Sequence, residues 1–267
     1  MSEFFYKLYV KLFAKDIFYK FNVIIYKLGL RGLGVLNYYD EELSGEKFFL
    51  EKMLKNNRQK QIIVDIGANV GNYVLNVNNI NPNTEIHAIE PMPTTYKKLC
   101  ANVKNMQGVK TYNIAMGKQK EQLTIYDYDD LNSEHASLYK EVITELHESK
   151  NVKEYSVGTI SLDEFCETNR IENIDVLKID TEGHEYSVLL GAQRMLTEKR
   201  IGIIHFEFNE MNVVSRVFFR DFFFLLEGYK LYRLMPKSFM QIKKYSPILH
   251  ELYAYQNIVA VRNDIEL

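Results

Sequence analysis

Four ionisable side chains stand together where an apolar stretch of the chain ends. Asp180, Glu182, His184 and Glu185 follow the mostly apolar run Ile174 to Ile179. Placing charged groups together at the end of a buried strand costs free energy unless they bind a ligand or react. Carboxylates and imidazoles serve as general bases or as ligands of a divalent cation. The spacing predicts a reaction centre with Asp180, Glu182 and His184 as catalytic residues, and it predicts that Glu185 caps the next helix.

A second group of candidates surrounds a glycine-containing turn. The short apolar run Ile62 to Ile66 contains Asp65 and is followed by Gly67, Asn69 and Gly71. Glycine lets the backbone approach a ligand closely, and the start of a helix presents unpaired N–H groups. The order predicts a buried strand, a tight turn and a helix start. Asp65, Gly67, Asn69 and Gly71 are therefore candidate ligand-binding residues.

The acid that ends the next apolar run indicates the type of ligand. Glu90 follows Glu85 to Ile89, and it lies about 20 residues after the glycines, where an acid commonly binds the ribose hydroxyls of a nucleotide. The G-x-x-x-G pattern lacks the third glycine that makes room for a pyrophosphate. The ligand favoured is a nucleoside without a diphosphate, and S-adenosylmethionine fits.

Three longer stretches resemble known motifs. Val64 to Gly71 and His87 to Pro91 resemble the opening of a class I methyltransferase domain. Ile174 to Glu185, with Val188 to Gly191 behind them, resembles the signature of the FkbM family of O-methyltransferases, and the likeness extends over residues 45 to 262. The resemblance implies an α/β, Rossmann-like class I methyltransferase with a seven-stranded, mostly parallel sheet and helices on both faces. It also implies S-adenosyl-L-methionine as the cofactor.

The same resemblance adds further candidate residues. In the family, the position of Asn113 approaches the adenine ring, although a turn at a strand end explains an asparagine equally well. The family also keeps an acid near Glu207, which becomes a catalytic candidate, whereas His205 is interpreted as a core histidine. Residues 135–138 resemble a small-residue/Ser-Leu stretch of the family in a polar segment predicted to cover the site, and His135 is interpreted as exposed.

The reaction implied is methyl transfer to a hydroxyl, either of a sugar on a bacterial surface glycan or of a natural product. A hydroxyl acceptor must lose its proton, and this requires a nearby base. His184 has a suitable unperturbed pKa. Asp180 or Glu182 could serve if burial raises their pKa values, or the same group could hold a divalent metal. The sequence leaves these schemes open.

Two other classes of function are weighed against this interpretation. A nicotinamide-dependent oxidoreductase uses a similar sheet, but the third glycine is missing and the acidic cluster at residues 180–185 would have no role. A non-catalytic binding protein of the same fold would not require the acids Asp65, Glu90 and Asp180, which are all present.

Composition limits the partners and the compartment. A chain of 267 residues suffices for one large α/β domain with an appendage. The formal net charge of −2 gives no overall field that favours nucleic acid. A small-molecule or glycan acceptor is what the family resemblance implies. Cys100 and Cys166 are predicted to be buried, reduced thiols rather than a disulfide, which favours a cytoplasmic protein.

The first 44 residues are predicted to form an amphipathic helical extension to a methyltransferase domain at residues 45–267. Apolar residues recur at helical spacing in residues 2–28, and lysines line another face. One interpretation is a helix packed on its own domain; the other is peripheral contact with the inner face of a membrane. The chain has no run of about 18 uncharged apolar residues, so no transmembrane helix is expected, and lysines interrupt any secretory signal.

Overall fold

The computed structural model describes residues 3–54, 60–128, 136–146, 148–149 and 151–267. In these ranges the α-helices are α1 Glu3–Phe13, α2 Tyr19–Gly32, α3 Glu41–Ser44, α4 Glu46–Leu54, α5 Asn72–Ile80, α6 Pro93–Val103, α7 Leu162–Asn169, α8 Glu185–Leu190, α9 Gln193–Thr197, α10 Met211–Ser215, α11 Phe219–Leu225 and α12 Pro247–His250. The strands are β1 Ile62–Ile66, β2 Glu85–Ile89, β3 Val109–Tyr112, β4 Ala115–Met116, β5 Gln122–Tyr128, β6 Val152–Ile160, β7 Ile174–Ile179, β8 Ile201–Phe208, β9 Tyr229–Met235, β10 Ser238–Ile242 and β11 Gln256–Arg262.

The large sheet has the strand order β10-β9-β11-β8-β7-β1-β2-β3. Strands β3, β2, β1, β7 and β8 are parallel, and β11 runs antiparallel to both β8 and β9. This is a Rossmann-like class I methyltransferase topology, as predicted. The parallel strands bring their carboxyl ends to one edge of the sheet, where open α/β sheets bind ligands.

Two predictions about the far edge of this sheet need correction. The sheet has eight strands in the described residues instead of seven, because residues 236–251, for which the sequence leaves a pocket segment and a surface loop open, contain β10, which pairs with β9 after a short turn at Pro236 and Lys237. Phe239 of β10 contacts Phe48 of α4, with ring centroids 5.3 Å apart. Residues 229–235 and 255–261 are predicted to be the last two strands, paired antiparallel at the sheet edge. β9 and β11 do pair antiparallel, but β11 lies inside the sheet and β10 forms the edge.

Apolar layers hold the sheet on both faces. Phe165, Val188 and Phe222 belong to one core cluster with residues of β7 and β8, and Phe49 and Val74 belong to a second cluster. The strands therefore read as near-continuous apolar runs, which is typical of strands covered on both sides. A rigid, doubly covered sheet fixes the positions of the side chains at its carboxyl edge.

A small second sheet stands over this edge. Its strand order is β4-β6-β5, with β6 parallel to β4 and antiparallel to β5. The alternation in residues 123–127 predicts a hairpin strand and residues 156–160 a returning strand, and β5 and β6 confirm both. Met92, Ala115, Ile125 and Val157 form a third apolar cluster beneath it. This sheet supplies one wall above the carboxyl ends of the parallel strands.

Several predicted helices are shorter than expected. Residues 186–196, predicted as one helix after the acidic group, form α8 and α9, which are separated at Gly191 and Ala192. A Cβ at Gly191 would collide with the carbonyl oxygen of Gly117, so only glycine fits there. Residues 140–150, whose sequence predicts an exposed helix, contain a single π-helical turn, Val142–Leu146, and residues 147 and 150 lie outside the described residues. Cys166 is buried, whereas Cys100 is half-buried rather than buried, and both are free thiols.

The N-terminal extension is a two-helix hairpin rather than one helix. The chain turns between α1 and α2, where Phe13 contacts Phe18 and Phe21 with ring centroids 5.2 and 5.9 Å apart. Asn22 accepts a hydrogen bond from the Tyr9 hydroxyl at 2.6 Å and donates one to the carbonyl oxygen of Phe13 at 3.0 Å. Within the described ranges, no helix is both long enough and apolar enough to cross a membrane.

Candidate active site

A cavity of about 640 Å³ opens at the carboxyl edge of the large sheet. Its volume lies in the range of about 300–1,000 Å³ that is usual for small-molecule sites. The turn between β1 and α5, the end of β2, strand β4, the segment after β7 and the end of β8 all contribute to its walls. Small-molecule ligands of open α/β sheets bind at this position.

Most of the site residues predicted from the sequence meet in this cavity. The predicted residues that line it are Gly67, Asn69, Glu90, Asp180, Glu182, His184 and Glu207. Asp65, Gly71 and Asn113 do not line it. These three contact or support the residues that do, and their predicted direct roles in ligand binding stay predictions.

The turn after β1 brings two strand ends into close contact. Gly67 has φ +83°, and a Cβ at this position would collide with the backbone carbonyl of Asp180. The amide groups of Gly67 and Ala68 donate hydrogen bonds to the carbonyl oxygen of Ile89 at 3.0 and 2.9 Å. Gly71, with φ +94°, then begins α5. Glycine is required at position 67 because only a residue without a Cβ fits where the carboxyl ends of β1, β2 and β7 come together.

Glu90 is a buried carboxylate held by two backbone amides. Its Oε2 accepts a hydrogen bond from Asn69 N at 3.0 Å, and its Oε1 accepts one from Met92 N at 2.8 Å. Burial raises the pKa of Glu90 to about 7, although both backbone hydrogen bonds lower it. Each carboxylate oxygen has a second lone pair. Glu90 can therefore accept hydrogen bonds from a ligand while the protein fixes its orientation.

Asn113 and Asp65 lie behind this part of the wall. The Asn113 Nδ2 donates hydrogen bonds to the carbonyl oxygens of Glu90 and Pro91, each at 2.9 Å. Asn113 thus holds the backbone that carries Glu90. Asp65 is 1 % exposed in β1, and burial raises its pKa to about 7 even with Lys178 nearby.

A buried lysine supports the opposite end of the cavity. The Lys178 Nζ donates to Asp180 Oδ2 at 3.2 Å. Lys178 is opposite Asp65 of β1 and His205 of β8 in the sheet register. Burial opposes its charge, but Asp180, Glu207, Glu46 and Asp65 together raise its pKa well above the usual value. Lys178 therefore remains an ammonium ion, and it orients the carboxylate of Asp180.

Among the acids at the Lys178 end of the cavity, Glu207 is the one whose pKa is most clearly raised by its surroundings. Burial raises its pKa well above the usual value, and the neighbouring Asp180 raises it further. The Asn209 Nδ2 donates a long hydrogen bond, 3.4 Å, to Glu207 Oε2. His205 is fully buried and bonds Asn257 Oδ1 through Nε2 at 3.0 Å, in agreement with its interpretation as a core histidine.

His184 differs from the expectation of a near-neutral base. Burial lowers its pKa to about 4, so its imidazole is neutral at pH 7. Its Nδ1 lies 3.3 Å from the Tyr139 hydroxyl, and its Nε2 is buried beside Gly117 without a hydrogen-bond partner among the described residues. The unperturbed pKa that favoured His184 as the base therefore does not apply, because the ring is withdrawn from solvent.

The segment after β7 is organised by Glu185 and covered by residues 136–139. Glu185 Oε1 accepts hydrogen bonds from the backbone amides of Thr181 and Gly183 at 2.9 and 3.1 Å, so this acid holds the turn before α8. Ser137 Oγ donates to the carbonyl oxygen of Glu182 at 3.0 Å. Ala136 and Leu138 line the cavity, as the predicted cover would. His135 lies outside the described residues.

The structure gives no support to a protein-only metal centre. In the described ranges, no three His, Cys, Asp or Glu residues gather closely enough to hold a metal ion. The acids at this end of the cavity are associated with Lys178 instead. The possibility of a divalent metal therefore stays a prediction.

Sequence reasoning missed several residues of the wall. Leu36, Tyr38, Asn209, Met211 and Tyr255 all line the cavity. Leu36 arrives from the N-terminal extension, and its amide donates to the carbonyl oxygen of Tyr255 at 2.8 Å. No local pattern predicts such a contact between distant segments. Lys178 could have been identified, because it is the single basic residue in the apolar run of β7.

Curated relatives with named activities match parts of the chain. Methyltransferase 1 of Beauveria bassiana is 28 % identical over 48 % of this chain and 57 % of its own length. The 2-O-methyltransferase NoeI of Sinorhizobium fredii is 22 % identical over 66 % of this chain and 75 % of its own length. The hexuronic acid methyltransferase AglP of Haloferax volcanii is 23 % identical over 61 % and 63 %, respectively. The chain therefore spans less than two thirds of the length of two of these three relatives.

The family model covers most of the residues that line the cavity, but not Leu36, Tyr38 and Tyr255. The model of the methyltransferase FkbM domain matches residues 65–231. This range begins in β1, contains the Glu90 turn and the segment after β7, and ends in β9. The chain belongs to the FkbM methyltransferase family.

Proposed function

We propose that this protein is an S-adenosylmethionine-dependent O-methyltransferase whose acceptor is a sugar hydroxyl of a glycan or glycoconjugate. One observation carries the proposal: a single cavity has an oriented carboxylate, Glu90, at one end and an acidic group supported by Lys178 at the other. The first arrangement suits a ribose, and the second suits a hydroxyl that must lose a proton. The names of NoeI and AglP support a sugar as the acceptor.

The cofactor end of the cavity has the groups that a nucleoside needs. Glu90 would accept hydrogen bonds from the ribose hydroxyls, and its own hydrogen bonds to Asn69 and Met92 keep it in place. Met92 and Ile114 provide apolar surface in the same wall. When bound, S-adenosylmethionine supplies a methyl group on a sulfonium, which is already activated for displacement. The protein contributes mainly orientation of the two reactants.

We assign proton removal to Glu207. A base is more effective when its pKa is raised towards that of the acceptor, and the surroundings of Glu207 raise its pKa, whereas burial lowers that of His184 to about 4. The Lys178 Nζ donates a hydrogen bond to Asp180 beside it. In this scheme Asp180 and Glu182 orient the acceptor, and His184 orients Tyr139 and the covering segment.

The charges of the wall favour an uncharged sugar. Asp180, Glu182, Glu207 and Glu210 all line the cavity, and no lysine or arginine of the described residues does. Like charges at close range repel, so a carboxylate on the acceptor would be disfavoured. Carboxylate oxygens instead accept hydrogen bonds from the hydroxyl groups of a neutral sugar.

The test is methyl transfer from methyl-labelled S-adenosylmethionine to matched pairs of acceptors. Each pair consists of a neutral glycoside and the hexuronate with the same ring configuration, and mass spectrometry locates the added methyl group. We expect O-methylation of the neutral member, and Glu207→Gln should slow it strongly. Transfer to nitrogen or carbon acceptors only would contradict the proposal, and a preference for the hexuronate would contradict the uncharged acceptor.

A further inference from the structure

Exposed apolar side chains are concentrated in the hairpin formed by α1 and α2. Of the 24 large hydrophobic side chains that are exposed in the described residues, 14 lie between Phe4 and Leu28. Within the described part of the chain, α1 has no buried residue and α2 has only Leu30. Isolated apolar residues on a surface need no explanation, but a contiguous group marks an interaction site.

Both helices of the hairpin are amphipathic. In α1, Lys7 and Lys11 are one turn apart on one face, and Phe5, Leu8 and Leu12 lie on a neighbouring face. Residues of the apolar face are widely exposed: Phe5 is 58 % exposed and Leu12 is 47 % exposed. The hairpin therefore presents an apolar face with lysines beside it.

The second helix repeats this arrangement. Lys20, Lys27 and Arg31 recur at helical spacing on one face of α2, and Phe21 and Leu28 lie on another. Leu28 is 63 % exposed. Between residues 3 and 32 the chain has five lysines and one arginine but only two acids, Glu3 and Asp16. This excess contrasts with the slightly negative charge of the whole chain.

We infer that the α1–α2 hairpin docks on the surface of a membrane that contains anionic lipids. Basic residues beside an apolar face, with tyrosines among them, are the features that hold an amphipathic helix in the headgroup region. A second copy of this chain fits the hairpin less well, because two-fold pairing would bring two strongly basic segments together. A bilayer with negative headgroups complements both the charge and the apolar surface.

The hairpin is joined directly to the wall of the cavity. The Arg31 Nη1 donates to the carbonyl oxygen of Leu36 at 2.8 Å, and the Arg233 Nη1 donates to that of Leu33 at 3.0 Å. Leu36 and Tyr38 line the cavity only a few residues after α2 ends. Docking would thus hold the cavity close to the lipid surface. The docking itself does not depend on which reaction the cavity catalyses.

The test is flotation of the full chain with phosphatidylcholine vesicles, with and without phosphatidylglycerol. We expect binding to the anionic vesicles. A variant with Lys11→Gln, Lys20→Gln and Lys27→Gln should bind them about a hundredfold more weakly, since each basic residue near such a surface contributes about fivefold. The matched control changes Lys237, Lys243 and Lys244 to Gln, which removes the same charge from another exposed segment and should leave binding unchanged.

A second variant tests the apolar face. Leu8→Gln, Leu12→Gln and Leu28→Gln keep residues with good helix propensity, and they should weaken binding more than tenfold because each leucine loses its contact with the acyl region. Equal binding by the hairpin variants and the control would overturn the inference. Absence of vesicle binding would also overturn the inference. This includes the outcome in which light scattering finds a dimer and the leucine variant is a monomer.

Discussion

The site depends on a charged lysine inside the sheet. Lys178 is 3 % exposed, and its ammonium lies 3.2 Å from Asp180. A buried charge is tolerated only when other charges and hydrogen bonds compensate its desolvation. The acids around Lys178 compensate it, and their own pKa values respond to one another: burial and Asp180 raise that of Glu207. The proton affinity of this end of the cavity is therefore a property of the group of residues.

At the scale of single residues, the pH dependence of turnover distinguishes the two candidate bases. If Glu207 accepts the proton, kcat/KM should rise with pH at values well above the ordinary titration range of a carboxyl group, because Glu207 must be ionised and its pKa is raised. Glu207→Gln should lower kcat by about 10²–10⁴-fold and abolish this rise. His184→Gln should keep it. The measurement is initial-rate kinetics from pH 5 to 9.

A different profile would assign the base to His184. With a pKa lowered to about 4, His184 would be unprotonated over the whole range, so the rate would not change with pH. If turnover does not vary with pH and His184→Gln removes the activity, the role given to Glu207 is contradicted. The affinity for S-adenosylhomocysteine, measured in both variants, controls for damage to the cofactor end.

At the scale of secondary structure, the close backbone contact between the carboxyl ends of β1 and β7 positions both ends of the cavity. Gly67 turns the chain out of β1 directly against the backbone of Asp180, and Asp180 N donates to the carbonyl oxygen of Ile66 at 2.9 Å. The cofactor turn and the acidic segment are therefore packed together by their backbones.

Gly67→Ala should unfold or strongly destabilise the protein. The added Cβ would collide with the carbonyl group of Asp180, and φ +83° is unfavourable for alanine. We expect a loss of more than about 2 kcal/mol in the free energy of unfolding. Gly228→Ala is the matched control, because a Cβ there meets no atom within 4 Å. Urea denaturation gives both values, and similar values for the two variants would contradict the close contact between Gly67 and the backbone of Asp180.

The sequence predicted the parts of the site that are local in the chain. Gly67, Glu90 and Asp180 were identified because each directly follows an apolar run, and parallel strands place such positions at one edge. Tyr255 and Leu36 were missed because their contact joins segments far apart in the chain. The pKa of His184 was misjudged because burial depends on packing around the ring, which no local pattern gives.

The same difference between local patterns and long-range contacts explains which helices and strands could be predicted. The parallel strands β1, β2, β7 and β8 are mostly apolar, with few polar residues such as Asp65 and Lys178, so their existence followed from the sequence. The break between α8 and α9 was not predicted; it falls at Gly191, whose backbone lies against the carbonyl oxygen of Gly117. β10 was missed because the basic and aromatic residues 236–251 show no clear strand pattern, although the strand begins at Ser238 and pairs with β9.

At the scale of the whole molecule, the buried acids should lower stability at neutral and higher pH. The pKa of Asp65 is raised from 3.8 to about 7 in the folded state. The folded protein therefore binds more protons than the unfolded chain between these values, and stability falls as the pH rises through this window. Above pH 7 the full effect is present.

Asp65→Asn should remove this effect. Relative to the unchanged protein, the variant should gain about 2–3 kcal/mol of unfolding free energy between pH 5 and pH 8. Glu227→Gln, a substitution of an exposed acid, should change the unfolding free energy by no more than about 0.5 kcal/mol at either pH. Urea denaturation at the two pH values gives the comparison. If Asp65→Asn gains no more than Glu227→Gln, Asp65 is not a buried acid of raised pKa.

The most direct test of the central claim is calorimetric titration with S-adenosylhomocysteine, with NAD titrated in parallel. We predict micromolar binding of S-adenosylhomocysteine and no binding of NAD, because the turn after β1 has no third glycine for a pyrophosphate. Glu90→Gln should weaken binding by about 1.5–3 kcal/mol for each ribose hydrogen bond that loses its charged acceptor. Binding of NAD alone, or of neither compound, would contradict the account.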